Sequence, residues 1–221
     1  MAMYTTPVVD ATKILTRREL AAVLADLTRK APRSRNTWFN LILIRLSCCC
    51  GLRVSEIAGL RNSDVRIEAS RPHIRIRRGA SKGGRPRMVP LWWDSGPLAD
   101  LKRWKEERLR QGATPDECFV GSLIERRRGT RLSRHTLRKR FRTACKTLGR
   151  ERLETLTIHH GRHTFISHAL AGQRTLAEVR DSAGHANVSI TSAYLHIAVD
   201  DDAVGELFRF EGPARFDGNG M

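Results

Sequence analysis

The segment "LTIHHGRHTFISHAL", residues 156–170, places four of the chain's eight histidines around one arginine, Arg162. From Gly161 onward, "GRHTFISHALAG" has the pattern of a helix. Two chemistries gather imidazoles in this way. One is metal binding: His159 and His163 are four residues apart and would share a helix face, as ligands do. That pair lacks the intervening glutamate of a metallopeptidase, however, and Cys118 and Cys145 have no spacing that marks them as further ligands. The other is phosphate chemistry, where guanidinium and imidazole groups converge on an anion. A plainer use, hydrogen-bonded core histidines, is expected for one or two of the four.

Charge favours the anion. The chain carries 40 Lys and Arg against 23 Asp and Glu, a formal net charge of +17. An excess of this size points to a polyanion, most economically nucleic acid. Arginine outweighs lysine, and its planar fork suits phosphate oxygens. The 221 residues, 40% hydrophobic, are enough for one sizeable core. Cys48, Cys49 and Cys50 are adjacent and Cys118 and Cys145 stand apart, which reads as reduced thiols. The start "MAMYTTPVVDATK" lacks a charged region followed by an apolar one, and no apolar run reaches membrane-spanning length. A cytoplasmic protein without membrane contact is the expectation.

Outward from the histidine segment the pattern is mostly helical. In "LTRRELAAVLADLTRK", Thr16 and Glu19 have the spacing of a capping box. "NTWFNLILIRLSCCC" is apolar almost all round, predicting a buried helix that Gly51 ends, and "RVSEIAGL" predicts a short helix after it. "RPHIRIRR" and "RMVPL" alternate as strands around the basic loop "GASKGGRP", a β-hairpin signal. "PLADLKRWKEERLRQG" is helical again. "LSRHTLRKRFRTACKTLG" is a basic amphipathic helix starting near Ser133, with Arg134, Arg138, Lys139, Arg140 and Arg142 outside its apolar stripe. "TLAEVRDSAGH" and "VSITSAYLH" complete the set, and Thr175 and Glu178 repeat the capping-box spacing. The expected fold is mainly α with a small antiparallel β element.

Four segments, in order, resemble the tyrosine recombinase (phage integrase) family, specifically its catalytic domain. "GLRVSEIAGLRNSDV" resembles the first-arginine motif, which places that role on Arg53 and a supporting acidic role on Glu56. "SKGGRPRMVPL" resembles the hairpin that carries the catalytic lysine, here Lys82. "HHGRH" resembles the H-x-x-R-H box and gives His159 and Arg162. "AGHANVSITSAYLH" resembles the closing box and gives His185 and the nucleophile Tyr194, one of only two tyrosines. The resemblance implies a domain over residues 15–200, an arm at 1–14 and a tail at 201–221 with a docking helix near Val204, Leu207 and Phe208.

It further implies cleavage and rejoining of double-stranded DNA through a 3′-phosphotyrosyl link. No metal or other cofactor is needed: Arg53 and Arg162 clamp the phosphate, His185 donates to it, and His159 serves the attacking oxygen. Lys82 protonates the 5′-oxygen. Arg85, Arg87, Arg134, Arg138, Lys139 and Arg142 are the expected DNA contacts. A monomer in free solution, associating on DNA up to a four-protomer synapse, is expected. Family members usually carry a helical core-binding domain before the catalytic one, whereas about 15 residues precede it here. Two other readings stay open: a non-catalytic DNA-binding protein of the same fold, and a relaxing topoisomerase with the same cleavage chemistry. A requirement for two specific sites separates the recombinase from the topoisomerase.

Overall fold

Helix α1, Arg17–Lys30, begins at the capping box: the Thr16 hydroxyl accepts from the Glu19 amide and Glu19 Oε2 accepts from the Thr16 amide. Its apolar stripe, Leu20, Val23, Leu24 and Leu27, is buried against α2, Arg35–Ile44. The computed structural model describes residues 10–80 and 86–195. Lys82, Arg85 and the tail residues Val204, Leu207 and Phe208 lie outside them. Of the expected arm, residues 10–14 are described; Ala11–Lys13 form a 3₁₀ turn and Ile14 is buried.

The apolar run 36–50 is not one uniform helix. After Ile44 the chain passes into a π-helical turn, Arg45–Cys49, in which the Cys50 amide donates to the Arg45 carbonyl. Arg45 is tied outward by Asp100 at 2.8 Å, and Ser47 donates back to the Leu43 carbonyl. Widened turns of this kind often accompany functional sites. Cys48, Cys49, Cys50 and Cys145 are buried, and burial pushes the Cys49 and Cys145 thiols up to about 12, so these are packing residues.

Helix α3, Val54–Gly59, follows Gly51, whose φ of +65° suits glycine. A Cβ there would run into the Phe165 ring, so Gly51 also lets the next layer close. The sheet has three strands where a two-stranded hairpin was expected. β1, Val65–Arg66, pairs antiparallel with β2, His73–Ile76, which pairs antiparallel with β3, Arg87–Pro90. Val65, Ile74 and Val89 meet across the strands on the buried face. β1 was missed because two residues leave no alternation to read.

Helix α4, Ser95–Arg110, brings Trp104 into the core, edge-on to Trp38 and Phe39. Helix α5, Arg134–Ala144, starts at an Ser133 cap and buries Leu137, Phe141 and Ala144. α6, Arg150–Thr155, is a short helix with no apolar stripe, which explains its absence from the sequence reading. α7, Ile158–Ala171, lies across the π-turn; α8, Leu176–Ala183, packs on β3; α9, Val188–Ser192, closes against α8. The fold is mainly α with a small antiparallel sheet.

Candidate active site

Arg53 sits at the N-cap of α3. Glu56, one turn on, accepts from the Arg53 amide at 2.8 Å and from its guanidinium at 3.1 Å. The same carboxylate takes a bidentate pair from Arg87, at 2.8 and 2.9 Å. Glu56 is only 1% exposed. Burial alone would raise its pKa, but the Arg87 fork and then Arg53 outweigh it and hold the group at about 2. Glu56 therefore stays ionised and fixes two guanidiniums.

The position of Arg87 corrects the sequence reading, which put it among the DNA contacts. Its side chain is 6% exposed and forms a wall of the site, with Nε donating to the Ser182 carbonyl at 2.7 Å. The signal was available. Arg87 lies two residues before the buried Val89, on the same strand face, and opposite Ile76 in register. An arginine on an inward face needs a carboxylate, and Glu56 supplies it.

Arg162 projects from α7 into the same cluster. Nη1 donates to the Gly51 carbonyl at 2.8 Å and Nη2 donates to the Ala183 carbonyl. Arg87 and Arg162 thus hold neighbouring carbonyls at the end of α8, where a helix leaves acceptors unsatisfied. Gly184 follows in the left-handed region at φ +66°, and a Cβ there would sit 2.8–3.0 Å from the Arg87 side chain. Burial, Arg53 and Arg87 together push the Arg162 pKa down to about 9. An incoming anion would relieve that strain. Three guanidiniums around one carboxylate leave the cluster two positive charges in excess.

α7 starts at Ile158, earlier than expected, so His159 lies in its first turn. The His159 pKa is lowered by burial and then by the charges of Arg138, Arg162 and Arg53. His160 and His168 have structural uses. His160 Nδ1 accepts from the Thr157 amide at 3.3 Å, and His168 bonds the Leu15 carbonyl at 2.9 Å. His185, just past Gly184, has Nδ1 2.9 Å from the Thr191 hydroxyl; burial and the three arginines push its pKa to about 3. Among the described residues no three His, Cys, Asp or Glu side chains converge as a metal-holding group.

Tyr194 follows α9 and is 6% exposed. Its Oη lies 2.6 Å from Nδ1 of His163, and the two rings pack with centroids 5.7 Å apart. The sequence reading gave the attacking oxygen to His159; the imidazole on the phenol in the structure is His163. Burial raises the phenol pKa, opposed by Arg162. Of the expected outer contacts, Arg134, Arg138, Lys139 and Arg142 are exposed on α5. Arg140 is not one of that group: it bonds Asn36 and Asn40 and packs over the Phe39 ring.

Residues 13–200 match the model of the phage integrase family. The chain belongs to that family. It is 31% identical over 157 residues to tyrosine recombinase XerC of Corynebacterium efficiens, covering 71% of this chain and 46% of that protein. It is 35% identical over 160 residues to XerC of Chromohalobacter salexigens, covering 70% and 47%. The chain thus spans about half the length of these relatives. Among solved structures, the fold is similar to XerA recombinase, with a TM-score of 0.66 at 22% identity over 90% of this chain and 61% of that one. It is also similar to the XerH recombinase bound to its difH substrate before cleavage, with a TM-score of 0.64 at 23% identity over 90% and 53%.

Proposed function

We propose that this phage integrase family chain cleaves and rejoins double-stranded DNA by site-specific recombination, through a 3′-phosphotyrosyl intermediate and without a metal ion. The observation that carries the reading is the Arg53, Arg87 and Arg162 cluster around the single carboxylate of Glu56, beside the buried phenol of Tyr194. A phosphodiester under attack gains negative charge on its nonbridging oxygens. Preorganised guanidiniums stabilise that charge more than they stabilise the ground state.

Each residue then has a task. Arg53 and Arg162 receive the nonbridging oxygens, and Glu56 with Arg87 keeps the clamp in place. With the Thr191 hydroxyl donating to Nδ1, His185 carries its proton on Nε2 and offers it to a phosphate oxygen. His159, in the first turn of α7, faces the same anion. Tyr194 attacks phosphorus and stores the bond energy for rejoining. Lys82 protonates the departing 5′-oxygen. Arg85, Arg134, Arg138, Lys139 and Arg142 hold the backbone of the duplex. The protein is a monomer in solution and assembles on adjacent half-sites, up to four protomers, through the tail around Leu207 and Phe208.

The test is a duplex carrying a candidate recombination site, nicked so that the cleaved strand cannot be rejoined, incubated with the protein in EDTA. The expected result is a covalent adduct on denaturing gels that mass spectrometry maps to Tyr194. EDTA leaves it intact because arginines supply the charge a metal would bring. Cleavage that needs a metal, or an adduct at Tyr4, overturns the reading.

A further inference from the structure

We propose that His163, through Nδ1, takes the phenolic proton of Tyr194 as the tyrosine oxygen attacks phosphorus. The proposal rests on the strand-cleavage reading above. The motive is geometric. Oη and Nδ1 are 2.6 Å apart, and the rings are stacked at an interplanar angle of 28°, so the pair is aligned as well as close. A base must be within hydrogen-bond reach of the proton it removes, and His163 meets that condition. His163 also follows Arg162 directly on α7. One helical turn therefore carries both a guanidinium of the anion-binding cluster and the imidazole on the nucleophile. The other histidines that bond neighbouring groups are engaged elsewhere: His160 with the Thr157 amide, His168 with the Leu15 carbonyl and His185 with Thr191.

With the phenol as donor, Nδ1 of His163 is the accepting nitrogen. Burial first, and then His160, His159 and Arg162, lower its pKa to about 4, so it is neutral across physiological pH. A base this weak does not ionise a buried phenol in advance. The transfer is favourable only as the Oη–phosphorus bond forms, because an aryl phosphate oxygen no longer holds a proton. The phosphate's own negative charge acts the same way, offsetting the arginine that depresses the imidazole. In the step, the Oη–P bond forms and the Oη–H proton passes to Nδ1. The P–O5′ bond breaks with its electron pair on the 5′-oxygen, which takes a proton from Lys82. Rejoining runs in reverse, with His163 returning the proton to the phenolic oxygen.

Single-turnover adduct formation on the nicked duplex tests this with His163→Ala and His163→Asn. Asparagine keeps a hydrogen-bond acceptor near the Nδ1 position but is not a base. Both variants are expected to bind duplex as the wild type does and to cleave about 10²–10⁴-fold more slowly. Growth on 3,5-difluorotyrosine labels only Tyr4 and Tyr194, the chain's two tyrosines, and makes the phenol more acidic. It should recover at least about tenfold of the His163→Ala loss, since a more acidic nucleophile needs less help from a base. Near-wild-type cleavage by His163→Asn reduces His163 to a positioning residue and overturns the proposal. So does an equal defect with and without fluorine. A second measurement needs no variant. On a 5′-bridging sulfur substrate, where the leaving group needs no proton, wild-type cleavage should slow in D₂O; an unchanged rate also overturns the proposal. Failure of the wild type to form any Tyr194 adduct is a separate result, and it removes the strand-cleavage reading itself.

Discussion

Arg162 and Tyr194 meet in one cluster but are held by different means. The Arg162 guanidinium is clamped between the Gly51 carbonyl at the start of the α3 segment and the Ala183 carbonyl at the end of α8. Its neighbour Arg87 is locked by Glu56 and Ser182. Tyr194 follows a five-residue helix whose side chains Val188 and Ile190, with Leu195 beyond, are 36, 42 and 53% exposed. Its polar tie is the bond to His163. On the proposed strand-cleavage reading, the difference separates two jobs. A charge-stabilising pocket is most effective when it does not reorganise during the reaction. A nucleophile that must become covalently joined to DNA benefits from an element with few anchors.

Replacing the proposed nucleophile gives the largest contrast. Tyr194→Phe should abolish the covalent adduct completely while leaving duplex binding intact. Only one hydrogen bond is lost, so stability should fall by about 0.5–1.5 kcal/mol. Gel assays of adduct and binding, with urea denaturation, check both halves. A variant that unfolds, or that still forms the adduct, breaks the division between pocket and nucleophile.

Lys82 extends the comparison to a third part, which lies outside the described residues. Lys82→Ala should slow cleavage of an ordinary phosphodiester by about 10²–10⁴-fold, the usual worth of general acid help. Cleavage should recover on a 5′-bridging sulfur substrate, whose thiolate leaves unprotonated. An equal defect on both substrates assigns Lys82 to binding instead.

The pocket side is probed by Glu56→Gln. Removing one partner of a buried ion pair destabilises by about 3–5 kcal/mol. The pH dependence follows from the depressed pKa. With an ordinary value of 4.5 unfolded and about 2 folded, Glu56 stabilises the protein above pH 4.5, and that contribution disappears as pH falls toward 2. The gap corresponds to about 3 kcal/mol. Urea midpoints at pH 7 and pH 3 should therefore converge in Glu56→Gln compared with the wild type. Parallel pH profiles for the two proteins count against an ionised Glu56 as the keystone.

The same contrast shows what was legible in the sequence. Arg53, Glu56, Arg162 and His185 follow from the resemblance of their motifs to the family, and the structure brings them together with Tyr194. The helical pattern of α1, α4, α5 and α8 was equally plain, because each has a long apolar stripe or a capping box. What escaped depends on contacts across the chain. His163 and Tyr194 are 31 residues apart, and no periodicity pairs them. By charge alone Arg87 reads as a DNA contact; only its strand face shows that it turns inward. The π-turn at Arg45–Cys49 is hidden in an unbroken apolar run, where a helix and its widened form look alike.

That π-turn sets the smallest effect, at Gly161. By sequence pattern alone this glycine stands at the start of the helix. The structure gives it a use: a Cβ there would lie 2.9 Å from Ser47 Cβ and 3.1 Å from Cys48 Sγ, so Gly161 lets α7 settle on the π-turn. Two effects oppose each other in Gly161→Ala. Helix propensity favours alanine by about 1 kcal/mol. Overpacking a tight seam costs about 1–3 kcal/mol. The third close atom is the Ser47 backbone carbon, at 3.1 Å, which cannot swing aside as a side-chain end can, so the clash should win. The expected net loss of up to about 2 kcal/mol lowers the melting temperature by up to about 8 °C in a domain of this size. Cleavage should fall as well, since Arg162 and His163 adjoin the displaced residue. Calorimetry and single-turnover rates on one preparation decide it. A variant that melts at or above the wild type, with unchanged cleavage, shows that the pocket tolerates movement in its floor and that the contrast with Tyr194 is one of degree.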